Sequence, residues 1–116
     1  MRPHLLDVEL HRDARGGLIS LQSGTTAPFS LQRVFFIFDV PPEESRGGHV
    51  TTCQELVIAL QGSCQAATVQ AGVEQDFQLT SPTQALYVPA GVWLKLHRFS
   101  PGALLAVAAD GPYVPR

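Results

Sequence analysis

The sequence predicts an all-β fold in a single domain spanning residues 1–116. Three observations carry this. Apolar residues recur with period two or in short unbroken runs, and hardly ever at 3.6. Seven to nine such segments follow one another, separated by Gly- or Pro-containing turns at a spacing of about 8–12 residues. Ten glycines and nine prolines stand against only 16% charged residues, a balance that suits a turn-rich β protein rather than a helical bundle.

Taken along the chain, residues 5–10 and 18–21 are weak strand candidates around Arg15-Gly16-Gly17. Residues 31–38 (LQRVFFIF) are β-branched and aromatic, and stop at Asp39-Val40-Pro41-Pro42, which no strand continues through. Residues 55–60 (ELVIAL) form an apolar run, and Gln61-Gly62-Ser63 turns it into residues 64–69, the pattern of a β-hairpin. Residues 76–79 follow a second turn at Ala71-Gly72. Residues 85–88 end at Pro89-Ala90-Gly91, residues 92–99 give another strand, and Ser100-Pro101-Gly102 leads into residues 103–109. Small all-β chains close their sheets or cover their edges, so a jelly roll or a dimer is expected.

Length and charge exclude several classes. At 116 residues the chain is long enough for a core without staples and too short for a two-domain Rossmann enzyme or a TIM barrel. A net charge of −2 lacks the footprint of a nucleic-acid binder. No apolar run approaches the roughly 20 residues of a spanning helix, and the start opens no signal-peptide stretch, so a cytoplasmic protein without a membrane partner is expected. Cys53 and Cys64 are expected to be buried, unpaired thiols.

The longest polar, glycine-rich segment is residues 41–54 (PPEESRGGHVTTCQ), which reads as a loop. It sets Glu43, Glu44, Arg46 and His49 beside two glycines, which let backbone approach a ligand; arginine is the usual partner of phosphate. The run His49-Val50-Thr51-x3-Glu55-x6-Gly62, with Pro89-Ala90-Gly91-Val92-Trp93-Leu94 further on, resembles the two cupin motifs. That resemblance implies a jelly-roll barrel, the double-stranded β-helix, whose mouth holds three His and one Glu around a metal. Here the second His is Thr51 and the third is Leu94. Two remaining ligands, His49 and Glu55, do not make a dependable transition-metal site, so no metal is expected.

A narrower family fits more of the chain. Arg15-Gly16-Gly17-Leu18, Pro28-Phe29, residues 33–39 (RVFFIFD), residues 44–49 (ESRGGH), residues 60–64 (LQGSC) and Gly91-Val92-Trp93 resemble the sugar-nucleotide 3,4-ketoisomerases, the WxcM-like cupins of deoxysugar biosynthesis. The resemblance implies transfer of a keto group from C4 to C3 of a dTDP-4-keto-6-deoxyhexose through an enediol, without cofactor or metal. It also implies a nucleotide sugar in the barrel mouth and a homodimer. Carried over residue by residue, His49 and, more weakly, His97 become catalytic candidates. Arg33, Arg46, Thr51, Tyr87 and Trp93 become candidate substrate-binding residues.

The residues themselves leave alternatives open. Arg33 suits a phosphate or a carboxylate, and Trp93 suits packing or base stacking. His97 lies three residues from Leu94, so on a regular strand it faces the other side. Against the family pattern, Thr51 and Leu94 stand where His is usual, and Phe35-Phe36 lack the usual phenol. These losses converge on proton transfer, where each acid–base group typically contributes about 10²–10⁴-fold. Either His49 and His97 carry isomerisation, or the chain is a non-catalytic cupin that binds a dTDP-sugar or a pathway enzyme. The losses favour the second for the standard reaction.

Overall fold

The computed structural model describes residues 1–115. In chain order the strands are β1 (His4–Asp7), β2 (His11–Asp13), β3 (Gly16–Leu18), β4 (Arg33–Phe38), β5 (Arg46–Val50), β6 (Glu55–Gln61), β7 (Cys64–Gln70), β8 (Val73–Leu79), β9 (Gln84–Val88), β10 (Trp93–His97) and β11 (Leu104–Ala109). No helix occurs among the described residues, in agreement with the all-β expectation.

Two antiparallel sheets face each other. One has the order β1-β9-β6-β11-β4, the other β5-β10-β7-β8, and β2-β3 forms a separate hairpin. The space between them is filled by alternate residues from both: Val57 and Ala59 of β6, Leu86 and Val88 of β9, Leu105 and Val107 of β11, Ala66 of β7, and Leu94 and Leu96 of β10. The reverse face of the larger sheet is not left wet. Residues 8–31 lie over it, so that Val8, Ala27 and Phe29 bury Leu56, Ile58, Tyr87 and Ala108. This explains why ELVIAL reads as an unbroken apolar run: β6 is covered on both faces. The arrangement is the cupin jelly roll.

Three expectations need correction. Residues 61–63 do not close a hairpin. β6 lies in the first sheet and β7 in the second, so the turn is a corner that carries the chain across the core. A Cβ at Gly62 (φ +70°) would meet Ser100 Oγ at 2.6 Å and Ala103 Cα at 2.9 Å, so this corner and the one at residues 100–103 pack directly on each other. The true hairpin is β7–β8, with Ala71 (φ 50°) and Gly72 (φ 79°) both left-handed at its tip, as a two-residue type I′ turn requires. Second, the segment read as a loop contains strand β5. Third, Cys53 is half-buried, whereas Cys64 is buried; both are unpaired. Burial pushes the Cys64 thiol up to about 12, so it stays protonated and inert.

Candidate functional site

β5 is exposed along its whole length and has no alternating apolar pattern. It is a strand because β10 pairs with it: Trp93↔Val50, Leu94↔His49, Lys95↔Gly47 and Leu96↔Arg46. The register slips by one residue between Leu94 and Lys95, so Gly48 is an extra, unpaired residue. This bulge sets the site. Arg46 and His49 are three apart and would face opposite sides of a regular strand. With one residue bulged out, both come opposite inward-facing leucines of β10 and turn to the same side. Glycine is required there: Gly47 and Gly48 have φ of +84° and +81°, and a Cβ on Gly47 would lie 2.7 Å from the Leu94 carbonyl oxygen.

The result is a cavity of about 500 Å³ between the open ends of the two sheets. Its polar wall carries Arg33, Arg46, His49, Thr52, Glu55 and Tyr113; Phe35, Ile37, Leu94, Leu96 and Val107 form its apolar side. Arg33 starts β4, and its guanidinium sits 5.0 Å from the Phe35 ring centroid and 6.0 Å from that of Tyr113. Its Nε is buried and has no hydrogen-bond partner among the described residues. A buried guanidinium donor without an acceptor, facing a cavity that holds a second arginine, is the arrangement an anion completes.

Thr51 also borders the cavity but is only 5% exposed, and its hydroxyl is committed to the main chain. It donates to the Pro89 carbonyl (2.8 Å) and accepts from the Val92 N–H (3.1 Å). Its own N–H and carbonyl bond Val92 and Gly91. Thr51 therefore fastens the end of β5 to the turn between β9 and β10.

Tyr87, Trp93 and His97 do not line the cavity. Tyr87 points out of the larger sheet, where its ring lies against Phe29 and His4 and its hydroxyl donates to Gln54 Oε1. Burial, and then the Asp110 carboxylate, push that phenol above its ordinary value. Trp93 and His97 alternate with the inward-facing Leu94 and Leu96, so they occupy the outer face of β10. The cavity adds residues that the candidate set omits. Glu55 was visible only as the acid of the cupin motif; Thr52 and Tyr113 carried no motif. No group of His, Cys, Asp and Glu able to hold a metal ion occurs among the described residues.

A family model described as FdtA: WxcM-like, C-terminal matches residues 1–116. The curated TDP-4-oxo-6-deoxy-alpha-D-glucose-3,4-oxoisomerase of Aneurinibacillus thermoaerophilus is 35% identical over 102 residues, covering 87% of this chain and 73% of that protein. A 3,4-ketoisomerase from Helicobacter canadensis superposes with a TM-score of 0.93 at 29% identity, over 98% of this chain and 86% of its own. QdtA, a sugar 3,4-ketoisomerase from Thermoanaerobacterium thermosaccharolyticum solved in complex with TDP, gives 0.92 at 26% identity, over 97% and 83%.

Proposed function

Since the chain belongs to the FdtA family of WxcM-like domains, we propose that it acts in the cytoplasm on a dTDP-4-keto-6-deoxyhexose, moving the keto group between C4 and C3. The observation that supports this best is the meeting of Arg33, with its unpartnered buried Nε, Arg46 and His49 in one cavity. Arg33 and Arg46 hold the pyrophosphate, and the sugar extends toward His49 and Glu55. The apolar wall of Leu94, Leu96 and Val107 accepts the C6 methyl group.

His49 takes the C3 proton, and the C–H electron pair becomes the C3=C4 bond while the C4 oxygen gains a proton. The enediol then loses the O3 proton, C3 becomes the carbonyl, and C4 receives a proton from the imidazolium. Glu55 moves the oxygen-bound protons. Nothing is oxidised or reduced overall. Counting imidazoles alone favours a non-catalytic protein; the presence of Glu55 and Tyr113 in the same cavity restores an acid–base set that the motif comparison lacks.

The test is exchange in D2O: protein and dTDP-4-keto-6-deoxyglucose are mixed and deuterium at C3 is followed by NMR. Incorporation is expected. Tight TDP binding without exchange would leave the binding role and reject the isomerase; no rise in melting temperature with TDP would reject both. Arg33→Ala is expected to weaken TDP binding by about 10–100-fold in calorimetry, the worth of charge-assisted hydrogen bonds. An unchanged Kd would remove Arg33 from the anion site.

We propose further that the protein is a homodimer joined through β4. Among the described residues this strand has β11 as its one neighbour, and Val34, Phe36 and Phe38 project from its outer face, the phenylalanines 56% and 63% exposed. A bare apolar edge of this kind is a pairing surface. Phe36→Glu with Phe38→Lys is expected to give a monomer by light scattering; a dimer of unchanged mass would place the interface elsewhere.

A further inference from the structure

We propose that Tyr87 is a positioning residue for the proton-transfer wall of the cavity, acting through Gln54 and Asp110. The inference rests on the reaction given above and concerns groups that never touch the substrate.

Residues 51–55 carry the chain from the smaller sheet to the larger one and deliver Thr52 and Glu55 to the cavity. Thr51 ties one end of this crossing to the β9–β10 turn. The other end is held by Gln54. Its backbone N–H donates to Asp110 Oδ1 (2.7 Å) and its side-chain NH2 to Asp110 Oδ2 (2.7 Å). The Asp110 N–H returns a bond to the Gln54 carbonyl (3.1 Å), and the Tyr87 hydroxyl donates to Gln54 Oε1.

These bonds leave the amide one orientation. Its nitrogen faces a carboxylate and its oxygen accepts from a phenol, so rotation by half a turn would set the amide oxygen against the carboxylate, acceptor against acceptor. The chain just past β11 closes the other side. A Cβ on Gly111 would lie 2.9 Å from Cys53 Cβ, so backbone and turn are in direct contact. Glu55 follows Gln54 immediately, and its place in the cavity is therefore set by groups lying outside it. Tyr87 reaches this network from the covered outer face of the sheet, its ring among Phe29 and His4. Substituting Phe would keep that ring and remove the hydroxyl alone.

The experiment uses the full chain with Tyr87→Phe and, separately, Gly111→Ala, which pushes on the same turn by bulk instead of by a lost hydrogen bond. Three quantities are read: Kd for TDP, the rate of C3 deuterium exchange, and the 13C signal of the Glu55 carboxyl with TDP bound. Tyr87→Phe is expected to leave Kd within about twofold, since both arginines are untouched, to slow exchange about tenfold or more, and to shift the Glu55 signal. Gly111→Ala is expected to shift the same signal; should it not fold, Tyr87→Phe decides. An unmoved Glu55 signal overturns the proposal. So does a fall in TDP affinity proportionate to the fall in exchange, which a merely structural role would produce. A wild-type protein that binds TDP but exchanges nothing overturns the reaction itself, and the Glu55 signal then decides the positioning role alone.

Discussion

His49→Asn is expected to lower C3 deuterium exchange by about 10²–10⁴-fold, the usual worth of a general base, while changing TDP affinity by less than about threefold. Asparagine keeps the size and a hydrogen-bonding capacity but cannot take a proton near neutral pH. His49 lines the cavity from β5, opposite Leu94, and it shares that cavity with both arginines. His97 lies on the outer face of β10 and cannot substitute for it. The expected split, rate lost and binding kept, is what separates a base from a ligand contact. If the variant exchanges at the wild-type rate, His49 is not the base and the mechanism above fails. A parallel loss of TDP affinity would make it a binding residue instead.

Thr51→Val is expected to destabilise the protein by about 3 kcal/mol, lowering its midpoint by roughly 10 °C. Valine matches threonine in shape, so the loss isolates the hydroxyl. Without it, the Val92 N–H and the Pro89 carbonyl lose their buried side-chain partner. Urea unfolding and a thermal melt check this, and a midpoint within 2 °C of wild type, on the scale of the same relation, would show that water replaces the hydroxyl. The consequence for engineering is asymmetric. Thr51→His, which the family pattern suggests, removes the clasp and adds bulk at a 5% exposed position. Leu94→His places an imidazole on a side chain that already faces the cavity, and is the better route to a second base.

Most of the strands were legible because their apolar residues mark the core twice over, by spacing and by type. Residues 31–38, 55–60, 64–69, 85–88 and 103–109 correspond to β4, β6, β7, β9 and β11 with small shifts at the ends. β5 was not, for a physical reason: RGGHV has no alternating apolar pattern, and its strand state comes from pairing with β10. Pairing partners are likewise absent from local sequence, so the corner at Gly62 has the local pattern of a hairpin although β6 and β7 lie in different sheets. Of the residues carried over from the family pattern, Arg33, Arg46, His49 and Thr51 lie together at the cavity, and Tyr87, Trp93 and His97 lie elsewhere. The difference follows strand parity, which a motif match does not encode. Tyr113 carried no signal at all; only the path of the chain after β11 brings its ring to Arg33.

Parity gives the bulge at Gly48 a meaning beyond its geometry. In a strictly alternating ladder the arginine proposed to hold the anion and the histidine proposed to accept the proton would be strangers on opposite surfaces, whatever their identities. One inserted residue acts as a frame shift in three dimensions, making an odd interval in the chain behave as an even one. The information that unites the two side chains is thus stored in a residue with no side chain of its own. Exchanging Arg46 or His49 singly changes one side chain at a time; losing the insertion would separate the two at once.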